Sequence, residues 1–64
     1  MITVRDIVEL VTDDVLDCGV YNLSKDEFVY HGTIADIPED ILDLELCSWD
    51  TAEGIMDFNV EMED

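Results

Sequence analysis

Apolar residues near the start of the chain recur at helical spacing. The pattern is formed by Val4, Ile7, Val8 and Val11, which fall on one face of an α-helix. Thr3 precedes the pattern and Asp6 lies three residues later, so the two have the spacing of a capping box with aspartate in the place of glutamate. We expect this helix to end near Thr12, because Asp13 and Asp14 add negative charge to its negative end.

Four later segments have the composition or the alternation of β-strands, over residues 15–21, 27–33, 44–49 and 55–62. In the first strand, Asp17, Gly19 and Tyr21 are predicted to share one face, and in the second, Phe28 and Tyr30 are predicted to do so. The last strand alternates strictly between an apolar and a polar face. Such alternation is typical of an antiparallel sheet with one side in water.

Turn residues separate the strands into two hairpins, and a short helix is predicted between them over residues 36–42. Pro38 suits a first helical turn, and Asp36 and Glu39 have capping-box spacing. We therefore predict one α+β domain over residues 1–64, with the N-terminal helix packed on a four-stranded antiparallel sheet, in the order α-β-β-α-β-β.

The net charge of the chain limits the kinds of molecule that it can bind. The chain has 64 residues, with 18 acidic and 2 basic side chains and a formal net charge of −16. Direct binding to nucleic acid or to an anionic membrane requires Lys and Arg, so neither is expected. Hydrophobic residues make up 48% of the chain, which argues for a folded domain and against disorder.

The cysteines and the N-terminus bear on the compartment. Cys18 and Cys47 are expected to be reduced and half-buried, since a single disulfide is sparse for a secreted protein of this size. The N-terminus lacks the basic and apolar regions of a signal peptide, and no apolar run is long enough to span a membrane. These features predict a cytoplasmic protein.

Candidate catalytic and metal-binding groups are few. His31 could pair with either cysteine, but nothing orients such a pair, and we predict a non-enzymatic protein in which His31 lies on the wetter face of its strand. The segment that starts at Asp50 is similar to a twelve-residue EF-hand loop only at its first position, Asp50, and at its twelfth, Glu61. Weak divalent-cation binding therefore remains an alternative, and no cofactor is predicted. Trp49 is expected in the core, with an interface anchor as the alternative.

The acidic residues themselves are the main candidates for partner binding. They form three runs: Asp13, Asp14 and Asp17; Asp36, Glu39, Asp40, Asp43 and Glu45; and Asp50, Glu53, Asp57 and Glu61. Outward residues along a strand lie about 6.6 Å apart, which is of the order of the phosphate spacing along a nucleic acid strand. A rigid fold that holds such rows could occupy a basic groove built for DNA or RNA.

The chain also resembles a group of known proteins. An amphipathic start at Val4–Leu10, a hairpin, and Tyr30-His31-Gly32 leading to Asp36-Ile37-Pro38 are similar to small acidic proteins of phages and mobile elements of gut Firmicutes. In size and charge the chain is also similar to DNA-mimic inhibitors, including anti-CRISPR and anti-restriction proteins. These inhibitors share acidity and no common motif, so the resemblance assigns no individual residue.

Two hypotheses follow beside the cation alternative. The first is a binding module for a basic protein surface, such as the nucleic-acid-binding groove of a host defence or transcription protein. The second is a small accessory protein, with a homodimer left open, whose acidity serves solubility.

Overall fold

The computed structural model describes residues 1–13 and 16–62. Its helices are α1 (Val4–Val8), a 3₁₀ segment (Ile34–Asp36) and α2 (Glu39–Leu42). Its strands are β1 (Asp17–Asn22), β2 (Glu27–Thr33), β3 (Leu46–Ala52) and β4 (Ile55–Val60). The strands form one four-stranded sheet in the order β2-β1-β4-β3. The predicted α+β class and the order of the elements are confirmed.

The sheet is mixed, so the prediction of a purely antiparallel sheet is wrong. Each hairpin is antiparallel, but the hairpins join through β1 and β4, which run parallel. This arrangement makes β2 and β3 run in the same direction at opposite edges, so residues 34–45 must cross from one end of the sheet to the other. Alternation of side chains is the same for either strand direction, and the sequence pattern therefore carried no signal for the parallel pair.

Helix α1 has the predicted cap but is shorter than predicted. The Thr3 backbone N–H donates to Asp6 Oδ2 at 2.9 Å, and Asp6 N–H donates to Thr3 Oγ1 at 3.4 Å, which completes the capping box. The helix ends at Val8, and single turns continue the chain to Val11. With no described basic residue after Arg5 in this segment, little opposes the unfavourable charge at its C-terminal end.

The segment between the hairpins crosses the sheet and closes the core. A purely apolar set of buried residues forms that core: Val4, Cys18, Val20, Ile34, Ile37, Ile41, Met56, Phe58 and Val60. The helices and the strands thus share one cluster, on one side of the sheet. Helix α2 begins after Pro38 without a side-chain cap, so the predicted capping role of Asp36 is wrong; Asp36 instead accepts a hydrogen bond from Thr33 Oγ1 at 2.9 Å.

A β-bulge changes the face on which the β2 side chains lie. Val20 pairs with Tyr30 and Tyr21 pairs with Phe28, so Val29 is an extra residue in β2. Phe28 therefore lies on the side of Tyr21, while Tyr30 lies on the core side with Val20. The prediction that Phe28 and Tyr30 share a face is wrong, because a bulge shifts the alternation by one residue.

Among residues 1–13 and 16–62, no helix has the length and apolarity needed to cross a lipid bilayer.

Candidate protein-binding face

The side of the sheet away from the core, here called the open face, carries one residue from each strand in three cross-strand rows. In the order β2-β1-β4-β3, the rows are Thr33, Asp17, Ile55 and Ala52; His31, Gly19, Asp57 and Asp50; and Phe28, Tyr21, Asn59 and Ser48. The helices pack on the opposite, covered face, where their buried side chains join the core. Within the described part of the chain, no helix packs on the open face.

Three carboxylates lie on this face. Asp57 pairs across strands with Asp50 on one side and with Gly19 on the other, and Asp17 belongs to the adjacent row. Side chains of directly paired residues have Cβ atoms about 4.5–5.5 Å apart, so Asp50 and Asp57 repel each other. In residues 1–13 and 16–62, neither the Asp17 nor the Asp57 carboxylate has a hydrogen bond or an ion pair.

An aromatic group occupies the β1–β2 half of the open face. The Phe28 and Tyr21 rings meet edge to face with centroids 5.0 Å apart, and the His31 ring lies with its centroid 6.2 Å from that of Phe28. The Tyr21 hydroxyl donates to Asp26, and this hydrogen bond, followed by burial and the charge of Asp26, raises the pKa of Tyr21. Phe28 is 57% exposed although it is among the largest apolar side chains of the protein. Aromatic residues are enriched at protein–protein interfaces relative to the rest of the surface.

Gly19 lies beneath this aromatic group. A Cβ atom on Gly19 would come within 2.9 Å of Phe28 Cε1 and 3.6 Å of Asp57 Oδ1. The Phe28 ring and the Asp57 carboxylate therefore both reach over the same point of β1. Because Gly19 has no side chain, the Phe28 ring packs directly over its buried backbone and the Asp57 carboxylate borders the same point; we call this site of Phe28 and Asp57 over Gly19 the Gly19 notch.

Two acidic residues of the covered side, Glu39 and Asp43, share an ion-pair partner within the molecule. Arg5 donates to Glu39 of α2 and, through its Nε, to Asp43 at 3.1 Å. These contacts replace the pairing of Arg5 with Glu9 that helical spacing alone would favour, and they raise the pKa of Arg5. Two of the predicted partner-binding carboxylates, although exposed, thus share one cation of the same molecule.

The remaining predicted residues are distributed over several surfaces. Asp40 and Glu45 are exposed near α2, Glu53 lies in the β3–β4 turn, and Glu61 follows β4. Asp13 is exposed after α1, and Asp14 lies outside the described residues. Of the twelve predicted residues, the open face brings together Asp17, Asp50 and Asp57.

The two cysteines have different environments. Cys18 is fully buried on the covered face, not half-buried as predicted, and burial followed by the charges of Asp17 and Asp57 raises its pKa to about 11. Cys18 is therefore a protonated, unreactive thiol at neutral pH. Cys47 is exposed, not half-buried as predicted, because it lies at the irregularity of edge strand β3 between Leu46 and Ser48.

Two further predictions concern His31 and Trp49. His31 lies exposed on the open face, as predicted, away from the buried Cys18. Trp49 is 50% exposed, so its predicted place in the core is wrong. It lies on the core side of β3, but this strand is at the edge of the sheet, and Trp49 lines a surface groove with Ile2 and Leu46.

The metal and calcium alternatives have no assembled ligand set in the described residues. Across residues 1–13 and 16–62, no three His, Cys, Asp or Glu side chains come together in a metal-binding arrangement. Asp50–Gly54 is the end of β3 and a tight turn, in which Glu53 and Gly54 both have positive φ. This turn has the backbone of a type I′ hairpin connection and not of a cation-binding loop.

The chain matches no protein-family model, no curated protein and no solved structure. Function is therefore inferred from the residues of the open face. Asp17, Gly19 and Tyr21 were placed on one face by their alternation in the sequence. Phe28 was missed, because only the bulge brings it to that face.

Proposed function

We propose that this protein is a non-enzymatic binding module whose open face contacts a basic protein surface, namely the nucleic-acid-binding groove of a host defence or transcription protein. The observation that carries the proposal is the placement of Asp17, Asp50 and Asp57 beside an exposed aromatic group on an uncovered sheet face. The role is the one that the resemblance in size and charge to DNA-mimic inhibitors implies.

The ion pairs within the molecule favour the open face, and not the covered side, as the surface that binds a basic partner. Arg5 is committed to Glu39 and Asp43, so it offsets charge next to α2 and not on the sheet. Asp17 and Asp57, which have no hydrogen bond or ion pair among residues 1–13 and 16–62, keep their full attraction for an external cation. With a net charge of −16, the protein also attracts a basic partner over a distance, which speeds association at low salt.

Rigidity is the second support. The three carboxylates project from hydrogen-bonded strands and not from loops, so their spacing is fixed before binding. Neighbouring strands lie about 4.8 Å apart and outward residues along a strand about 6.6 Å apart. A fixed array of this kind suits the mimicry of a phosphate backbone, because little side-chain order has to be gained on binding.

Affinity capture tests the proposal. The immobilised protein is incubated at low salt with lysate of its own source cells and is then challenged with double-stranded DNA. We expect it to retain nucleic-acid-binding proteins that DNA displaces, because DNA and the acidic face compete for one groove.

A matched pair of variants locates the binding face. The first variant removes the three open-face charges and should abolish capture of the nucleic-acid-binding proteins. It combines Asp17→Asn, Asp50→Asn and Asp57→Asn. The control variant makes the same change in net charge at exposed positions of the covered side and should retain capture. It combines Glu9→Gln, Asp40→Asn and Glu45→Gln. Equal loss in both variants, or captured proteins that DNA does not displace, would contradict the proposal.

One observation favours the accessory-homodimer hypothesis. Edge strand β3 is exposed at every position after Leu46, and its unpaired backbone groups could join a second copy. Sedimentation at low and at high salt distinguishes the two ideas. A monomer at both salt concentrations supports the binding module, whereas a dimer that Trp49→Lys dissociates supports the accessory protein.

A further inference from the structure

The Gly19 notch combines two groups that together recognise a particular cation. The point where a Gly19 Cβ would stand lies 2.9 Å from Phe28 Cε1 and 3.6 Å from Asp57 Oδ1, so the ring and the carboxylate are close neighbours. One group offers an aromatic ring and the other a carboxylate. An exposed ring next to an unpaired carboxylate is the arrangement that accepts a cation by stacking and by charge together.

The ring is held in place before any ligand arrives. The Phe28 ring centroid lies 5.0 Å from that of Tyr21 and 6.2 Å from that of His31, and the ring packs over Gly19; Tyr21 is itself fixed by its hydrogen bond to Asp26. Even so, 57% of Phe28 remains exposed. A partner can therefore cover the ring without first rearranging it, which lowers the entropic cost of binding.

The geometry of the notch favours guanidinium over ammonium. Guanidinium is planar and weakly hydrated, so it can stack on an aromatic ring while its N–H groups donate to a carboxylate at the edge of the ring. An ammonium group is compact and strongly hydrated, and it gains mainly from the carboxylate. Asp57 supplies the acceptor, and Asp17 lies in the neighbouring row on the same face.

We propose that the Gly19 notch binds an arginine side chain presented by a basic protein segment, with the guanidinium stacked on Phe28 and hydrogen-bonded to Asp57. This inference rests on the proposed function and deepens it, because it names the residue type that the open face selects. A partner recognised in this way uses arginine, and not lysine, at the centre of its contact.

Peptide binding tests the inference directly. Fluorescently labelled peptides of arginine only and of lysine only, equal in length and charge, are titrated with the protein at one fixed salt concentration. We expect the arginine peptide to bind more tightly by roughly 2- to 30-fold, the range that a stacking contribution of about 0.5–2 kcal/mol gives.

Variants separate stacking from charge. Phe28→Leu keeps an apolar side chain but removes the ring, so it should erase most of the preference for arginine and leave the binding of the lysine peptide nearly unchanged. Gly19→Ala should act in the same way, since its methyl group requires the ring to move. Trp49→Leu, which removes an exposed aromatic side chain elsewhere, is the matched control and should retain the preference.

The outcomes distinguish this inference from the function on which it rests. If Phe28→Leu and Gly19→Ala, shown to be folded by their cooperative melting, keep the arginine preference of the original protein, the inference is overturned and the proposed function stands. If neither peptide binds, or if the triple variant of Asp17, Asp50 and Asp57 binds both peptides normally, the proposed function fails as well.

Discussion

The two faces of the sheet use the same kinds of residue in opposite ways. On the covered face, apolar side chains are buried together, and the nearby carboxylates Glu39 and Asp43 are paired with Arg5. On the open face, Phe28 remains exposed, and Asp17 and Asp57 have no side-chain partner within the described residues. Glu39 and Asp43 thus have a cation within the fold to pair with, whereas Asp57 faces the like charge of Asp50 and, with Asp17, is available to a partner.

The largest expected difference between the faces is in the cost of removing a phenylalanine. Phe58 is fully buried at the centre of the covered face, and Phe58→Ala should cost about 3–5 kcal/mol. A domain of this size has a total stability of about 3–5 kcal/mol, so the variant should be largely unfolded. Phe28→Ala should cost less than about 1.5 kcal/mol, the contribution of its aromatic contacts. Urea unfolding measures both, and equal losses would remove the distinction between the faces.

The next largest effect is a loss of stability at alkaline pH, and it comes from Cys18 of the covered face. The pKa of Cys18 is raised from an ordinary value of 9.0 to about 11, first by burial and then by the charges of Asp17 and Asp57 on the open face. The folded state holds this proton more tightly than the unfolded chain does. Stability should therefore be complete below about pH 9 and fall as the pH rises through about 11. The contribution is about 1.4 kcal/mol for each unit of difference in pKa.

Urea midpoints measured across this alkaline window, for the original protein and for Cys18→Ala, test the effect. The variant should lose stability less steeply, and the part that remains comes from Tyr21 and Tyr30, whose pKa values are also raised. Parallel curves for the two proteins would show that Cys18 does not titrate in this way.

Asn22 allows a test of how much a buried hydrogen-bonding side chain on the covered face contributes to stability. It is the one buried polar residue in the described part of the chain, and its Oδ1 accepts hydrogen bonds from Ser24 N–H at 3.0 Å and Met62 N–H at 3.1 Å. Asn22→Ala leaves both donors without this acceptor and should cost about 1–3 kcal/mol. The exposed pair of Asn59 and Ser48 on the open face is the control, and Asn59→Ala should change the urea midpoint much less.

The smallest expected effect has the opposite sign. Asp57→Asn removes the repulsion between directly paired carboxylates of β3 and β4 and should raise stability by about 0.2–1 kcal/mol. Added NaCl should raise the Tm of the original protein, because salt screens its negative charges, and should raise that of the variant less. A Tm that does not change or falls with salt would argue against a repulsive open face.

The fold was largely predictable where a local pattern determines it. The capping box at Thr3, the hairpin strands and the helical turn near Ile41 follow from spacing within short segments. The parallel pairing of β1 and β4 was not predictable, because it depends on how residues 34–45 cross the sheet. The exposure of Trp49 has the same origin, since only the strand order places β3 at an edge.

The candidate site was predictable in its charge and not in its shape. Strand alternation placed Asp17, Gly19 and Tyr21 on one face, and the structure adds Asp50 and Asp57 beside them. The bulge that turns Phe28 toward Gly19 leaves no signature in the alternation of β2. The pairing of Arg5 with α2 is a contact between distant segments, so composition alone could not tell which carboxylates remain without a partner.

The most direct test of the central claim is to observe which face a basic ligand contacts. NMR spectra of methyl and aromatic groups are recorded as the arginine-only peptide is added. We predict shifts at Tyr21, Phe28 and Ile55 of the open face, and small changes at Val20, Ile34 and Ile41 of the covered side. Shifts concentrated at the covered side, or spread equally over both, would contradict the claim that the open face is the binding surface.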